Sequence, residues 1–288
     1  MASKSKKKTT TELISWGARV LPNGVIGAQS FATNQRNVYF LMEDGTVKPL
    51  IPEVSVDFYK AMPQDLNDIV QVAATGDYGF ALGKSGDLYA WGGNEDLKNE
   101  LVPEGLEKIK RIIVQDANDY HSNVFVVCIL ENGTTKSWMA FDDDEGLEIV
   151  ERIEKIKNLA DFQWANEHSL ILDSKGALTL LEKKWDEEGL KEHKFSGIQC
   201  AHVSERRGPI FVDKSGEIYQ GYPLPNVFPR KGIGNKRTKC SRIFHVLDYN
   251  SRARWTGDVT YLLDEKGQLS SKAKAAMLQC NDFWYKIP

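Results

Sequence analysis

Cysteine is scarce in this chain: four residues in 288, at Cys128, Cys200, Cys240 and Cys280, with no CxxC pair among them. That spacing builds neither a disulfide framework nor a zinc motif, and buried free thiols are expected. Long apolar runs are missing as well. Nothing approaches the roughly 18 to 20 residues of a membrane-crossing helix, and the amino terminus lacks the apolar stretch of a secretory signal. A nuclear or cytoplasmic protein without membrane contact is the expectation. No nucleophile motif, Walker loop or HExxH is present, and KGIGNKR at Lys231 to Arg237 lacks the glycine spacing that cradles phosphates. Five histidines are scattered, at His121, His168, His193, His202 and His245. Cys200 and His202, two apart on one strand, would share a face with Cys240 or His245 nearby, but no third ligand is evident and no metal is assigned. His168 reads as a satisfied polar residue at a strand turn. Neither an enzyme nor a cofactor is expected.

What the chain does have is a period. A polar residue, glycine, a further small or polar residue and the start of an apolar strand recur six times, at Asp44–Val47, Ser85–Leu88, Asn132–Thr135, Lys175–Leu178, Ser215–Ile218 and Lys266–Leu269. From glycine to glycine the intervals are 41, 47, 43, 40 and 51 residues. Strand-rich repeats of about 40 to 50 residues build propeller blades.

The clearest unit is Asp68–Gly92, DIVQVAATGDYGFALGKSGDLYAWG. Its first stretch is apolar and β-branched, a polar bend at Gly76 and Asp77 leads into Phe80–Leu82, and the glycine hairpin then feeds a third strand over Leu88–Trp91. Gln71-Val72, Gln199-Cys200 and Gln279-Cys280 read as one register, with cysteine in valine's place. EKIK at Glu107–Lys110 and again at Glu154–Lys157 reads as two successive blade entrances. The ends fit the same grammar. ELISWG at Glu12–Gly17 copies a third strand with nothing before it, and Met277–Pro288 copies a first strand with no hairpin after it. An all-β, seven-bladed propeller follows: six full repeats and one blade closed by both termini, which removes open sheet edges. Residues 12–288 then form one domain. Residues 1–11, with Lys4, Lys6, Lys7 and Lys8, form a disordered basic arm.

The order of apolar strand, turn, histidine-serine-apolar strand, glycine hairpin and YAWG resembles the regulator of chromosome condensation repeat family. Asp68–Asn94, ending WGGN, carries the resemblance best, and Glu167-His168-Ser169-Leu170 supplies the histidine-serine element of another repeat. The resemblance implies a rigid seven-bladed disc whose loops bind macromolecules. Founding members promote nucleotide exchange on the small GTPase Ran and sit on nucleosomes with the help of a basic amino-terminal arm. It therefore implies a protein partner, a small GTPase or chromatin, with guanine-nucleotide exchange as the alternative to a plain scaffold. No exchange residue is matched by motif.

Charge points to one sector. The chain's net charge is −3, and four lysines stand among its first eight residues, so the remainder carries −7. The arm suits nuclear import or nucleic-acid phosphate. On the body, turns between first and second strands carry Arg206, Arg207, Arg252, Arg254 and Trp255, and the longest inter-repeat connection carries Arg230, Lys231, Lys236, Arg237 and Lys239, continuing to Arg242. These are the candidate partner-binding residues. The acidic run Asp142–Glu145, extended by Glu148, Glu151 and Glu154, lacks the ligand spacing of a calcium loop and reads as a solvated connection. Trp16, Trp91 and Trp138 recur at equivalent strand positions and read as packing between blades. A lectin would instead need them exposed.

Overall fold

The computed structural model describes residues 27–33, 38–50, 62–75, 78–92, 101–116, 124–140, 144–165, 168–183, 189–204, 208–215, 218–220, 228–229, 242–248 and 257–263. Within them the chain is a series of antiparallel sheets, each built from strands consecutive in sequence. The first sheet holds β1 (Ala28–Thr33), β2 (Val38–Met42) and β3 (Val47–Leu50). The second holds β4 (Ile69–Ala74), β5 (Tyr78–Gly83) and β6 (Leu88–Gly92). β7 (Ile109–Asp116), β8 (Val124–Leu130) and β9 (Thr135–Ala140) make the third. Four strands make the fourth: β10 (Leu159–Ala165), β11 (His168–Asp173), β12 (Leu178–Lys183) and β13 (Leu190–Phe195). The fifth also has four, β14 (Ile198–Ser204), β15 (Gly208–Asp213), β16 (Ile218–Gln220) and β17 (Phe228–Pro229). β18 (Arg242–Asp248) and β19 (Gly257–Leu263) form a sixth pair. Sheets that each close on themselves before the next begins are the construction of a β-propeller's blades.

These sheets divide between two compact units, with the boundary between Lys155 and Ile156. In each unit, first strands pack side by side: β1 on β4, β4 on β7, and β10 on β14, β14 on β18. Middle strands such as YGFALG and VFVVCIL are buried along their whole length, as expected where both faces of a sheet are covered. Their alternate residues feed different cores. Tyr78, Phe80 and Leu82 meet Ile109, Ile112 and Val126 of the following sheet, while Ala81 and Trp91 meet Tyr39 and Leu41 of the preceding one. In the second unit Leu170, Leu172 and Leu180 meet Ile198, Ala201 and Phe211 in the same way.

The periodic glycine has two physical duties. Gly45, Gly86, Gly133 and Gly176 have φ of 81°, 94°, 82° and 90°, a left-handed conformation that side chains rarely tolerate. The residue before or near each glycine supports the turn. Asp44 accepts from the Thr46 N–H at 3.0 Å and its hydroxyl at 2.7 Å, and Asn132 repeats this with Thr134 at 2.9 and 2.7 Å. Those hydrogen bonds, the Thr46 hydroxyl first, hold the Asp44 carboxyl below its ordinary value of 3.8. The second duty is contact. The carbonyls of Gly45, Gly86 and Gly176 accept from the N–H groups of Ile69, Ile109 and Ile198 at 2.9, 3.2 and 2.9 Å, each the first strand residue of the next sheet. A β-carbon on Gly176 would lie 2.5 Å from the Ile198 carbonyl oxygen, and one on Gly86 3.0 Å from the Ile109 nitrogen.

First strands share a further irregularity. Five of them carry a register shift between their first and third residues: Ala28/Ser30, Ile69/Gln71, Ile109/Arg111, Leu159/Asp161 and Ile198/Cys200. A bulge at the same point in each sheet bends the strand without losing the later pairing. It also corrects one expected alignment. Gln71 pairs with Leu82 and Cys200 with Val212, so cysteine stands in the glutamine's register and Gln199 occupies the bulge. Gln71 has its own task. Its side chain donates to the Ile112 carbonyl at 2.6 Å and accepts from the Ile112 N–H at 3.0 Å, capping the open edge of β7. Gln163 caps β14 likewise, donating to the Ala201 carbonyl and accepting from the Val203 N–H, both at 3.1 Å.

The acidic run departs from the expected solvated connection. Asp144–Glu154 is a helix, α1, whose Ile149 and Ile153 are fully buried four residues apart. Glu154 accepts from the N–H of Ser137 on β9 at 3.1 Å, and Glu148 pairs with Arg152 at 2.7 Å. α1 thus covers the outer edge of the third sheet, where β13 covers that of the fourth. The second EKIK segment starts at the last residue of this helix and stops two positions before β10 begins, while the first overlaps β7 at Ile109, so both stand at the entrances of successive sheets. The terminal segments read as a split blade lie outside the described residues.

Two outcomes test this account of the hairpins. Gly189 has φ of 80° and open space around it, so Gly189→Ala is expected to cost about 1 to 2 kcal/mol of left-handed strain in urea unfolding. Gly176→Ala carries the same strain plus overpacking against Ile198 and is expected to cost about 1 to 3 kcal/mol more; equal losses would mean that the sheets do not meet at this glycine. For the turn itself, NMR titration is expected to find Asp44 ionising below its ordinary value and Thr46→Val moving it back up. Because the folded value is the depressed one, the turn's contribution is present above pH 3.8 and fades as the pH falls through the folded value.

Candidate functional site

Each sheet has two ends. Hairpins between second and third strands leave one end, and connections between first and second strands leave the other. The latter are residues 34–37, 75–77, 117–123, 166–167, 205–207 and 249–256, flanked by the strand pairs described above. Arg206 and Arg207 fall between β14 and β15, and Arg252, Arg254 and Trp255 between β18 and β19. β14 and β18, the strands that lead into these two connections, lie beside each other. Arg230, Lys231, Lys236, Arg237 and Lys239 fall between β17 and β18. All ten of these residues, and Lys4, Lys6, Lys7 and Lys8, lie outside the described residues. Their flanking strands set where each connection starts and returns.

Several other candidates resolve as packing. Trp91 is 0% exposed, meets Tyr39 edge to face at 5.1 Å and 89°, and covers Gly79, whose β-carbon would lie 2.3 Å from the indole. Trp138, five residues beyond its hairpin glycine as Trp91 is, donates its indole N–H to the Leu101 carbonyl at 3.2 Å. Both face the preceding sheet's core. Neither is offered to a sugar, so these two residues act as packing between sheets; Trp16 lies outside the described residues. Cys128 and Cys200 are buried free thiols, and burial pushes the Cys128 thiol up to about 12. His168 is buried at the start of β11, in register with Ala165 and Glu182. The Glu182 carboxylate instead lies 3.2 Å from His193 Nε2 across β12 and β13, joining an outer strand to its sheet. Among the described residues no group of three histidine, cysteine or carboxylate side chains is arranged to hold a metal ion. Among them also, no helix is long and apolar enough to cross a membrane.

No family model and no curated protein matches the chain. Solved structures do. Prp20p of Saccharomyces cerevisiae, called yeast RCC1 in a second structure, is similar at 14% identity over 81% of this chain and 71% of that one, with a TM-score of 0.46. The BP39L lectin of Burkholderia pseudomallei is similar at 13% identity over 85% and 82%, TM-score 0.52. The C-terminal domain of gp131 from bacteriophage phiKZ is similar at 13% identity over 87% and 80%, TM-score 0.50. At such identities the likeness is one of fold. In repeat grammar the chain resembles an RCC1-like β-propeller.

The inert role of the buried thiol is directly testable. In native protein at pH 8, Cys128 is expected to resist iodoacetamide while urea-unfolded protein reacts fully. Rapid native labelling at Cys128 would contradict its burial between β8's neighbours.

Proposed function

We propose that the chain is a non-enzymatic β-propeller scaffold that binds a protein or nucleoprotein partner through loops at one end of its sheets and an adjoining basic sector. The observation that supports this most is topological. Residues 205–207 and 249–256 both join first to second strands in neighbouring sheets, which supports the reading that Arg206, Arg207, Arg252, Arg254 and Trp255 share one end. Arg230, Lys231, Lys236, Arg237 and Lys239 precede β18 in the same sector. Arginine and tryptophan on loops held by a rigid scaffold are the usual makings of a binding hot spot. The described Trp91, Trp138, Cys128 and Cys200 are meanwhile taken up by packing between strands, which favours recognition over chemistry.

In this reading residues 12–288 form one seven-bladed ring, its last blade assembled from Glu12–Gly17 and Met277–Pro288, and Lys4–Lys8 form a basic arm that reinforces contact with phosphate or an acidic surface. Five described sheets with the same bulge, four of them with a hairpin glycine at the same positive φ, support the repeat on which that count rests. Prp20p is described by its binding to Gsp1p and histones. Exchange on a Ran-like GTPase is therefore the alternative that the test below is designed to catch.

Purified tagged protein is compared with a variant carrying Arg230→Glu, Lys231→Glu, Lys236→Glu, Arg237→Glu and Lys239→Glu, after equal thermal stability has been checked. Wild type is expected to retain a partner at moderate salt and the variant to lose it, with retention falling steeply as salt rises. A small GTPase among the partners, whose nucleotide release the protein accelerates, would move the conclusion to exchange factor. Identical recovery by both proteins would remove the basic sector from the interface.

A further inference from the structure

We infer that the inner-strand glutamines grade the joints between neighbouring sheets, so that sheets two and three open as one body and the joint between sheets one and two opens first. Every joint described in full shares two features. A hairpin glycine carbonyl accepts from the first residue of the next sheet, and an apolar cluster fills the space between them. Apolar burial is non-directional, and the single glycine bond is alike at 2.9, 3.2 and 2.9 Å. The joints differ in what the first strand sends across.

Between sheets two and three, Gln71 forms two hydrogen bonds with Ile112, and Trp138 ties β9 to Leu101 in the segment leading into sheet three. Between sheets four and five, Gln163 forms two with Ala201 and Val203, and the Lys214 ammonium donates to the Lys175 carbonyl at 2.9 Å. Gln71 is the third residue of β4 and Gln163 the fifth of β10. At those positions β1 has Ser30 and Ala32. A serine is too short to bridge two backbone groups on the next strand, and alanine has nothing to offer. The first joint therefore lacks the clamp, and Gln29, Ser30 and Phe31 on the strand that would carry it are exposed.

The clamp also acts on groups that nothing else serves. The Ile112 N–H and carbonyl point off the edge of β7, away from its partner β8. Removing Gln71 leaves both without a partner in a buried seam, a larger loss than that of an exposed bond. Two such bonds correspond to a change of about 5- to 150-fold in the opening equilibrium of that joint.

Fragment-resolved amide exchange on the full chain, in a series of low urea concentrations, tests this. In wild type, β4–β6 and β7–β9 are expected to converge on one urea-dependent opening, and β1–β3 to open separately at lower urea. Gln71→Met keeps the side-chain length but not the amide. It is expected to split β4–β6 from β7–β9 and reduce protection at Ile112 within the range given above, leaving β14 unchanged; Gln163→Met is expected to reverse that pattern. If β1–β3 shares the opening of β4–β9 in wild type, or Gln71→Met leaves Ile112 protection intact, the inference fails. The wild-type comparison decides the order of opening even if a variant does not fold.

Discussion

Much of what is periodic in this chain follows from one contact, described at three glycines: Gly45, Gly86 and Gly176 are each set against the first strand residue of the next sheet, Ile69, Ile109 and Ile198. Two independent constraints meet there. The turn needs a residue at positive φ, and the neighbouring backbone comes so near that a β-carbon would collide with it. Either alone tolerates exceptions, since asparagine or aspartate also enters the left-handed region. Together they leave glycine. From that fixed point the first strand begins, bulges after one residue, and places its later residues in the apolar seam between sheets. The fully buried middle strand and the third-strand tryptophan then follow as fillers of the same seam.

This explains what was legible in the amino-acid sequence. The glycine period and the order of strands could be read because each recurs from repeat to repeat, and the packing role of Trp91 and Trp138 because both stand five residues beyond a hairpin glycine. The bulge could not. It adds one unpaired residue without a marker of its own, since Gln29, Val70, Lys110, Ala160 and Gln199 share no chemistry, and so Gln199 was aligned with Gln71 one residue out of register. α1 was hidden for a different reason. Its carboxylates dominate the eye, yet Ile149 and Ile153 at helical spacing are the residues that fold it onto the third sheet. The glutamine clamps carried a signal that went unread: Gln71 in IVQVAA and Gln163 in LADFQWA are polar residues inside otherwise apolar strands, each bonded to a strand about one repeat further on.

The candidate site was legible only as charge and composition. Repeats constrain the strands and hairpins, whereas the connections between first and second strands are free to vary, so no period predicts their geometry. Arg206, Arg207, Arg252, Arg254 and Trp255 fall in connections between first and second strands, and their place at a common binding end belongs to the proposed function. Likeness in fold to a lectin and a phage protein domain at 13% identity is consistent with a frame that accepts unrelated loops.

The central claim, that Gly45, Gly86 and Gly176 are each bonded to the sheet that follows, is open to direct observation. Hydrogen-bond scalar couplings measured by long-range HNCO on deuterated protein should link the amide nitrogens of Ile69, Ile109 and Ile198 to the carbonyl carbons of Gly45, Gly86 and Gly176. All three cross-peaks are expected. Their absence, with within-sheet couplings such as Gly83 N to Asp87 carbonyl still visible, would contradict the account by showing sheets that fold but do not join at the glycines.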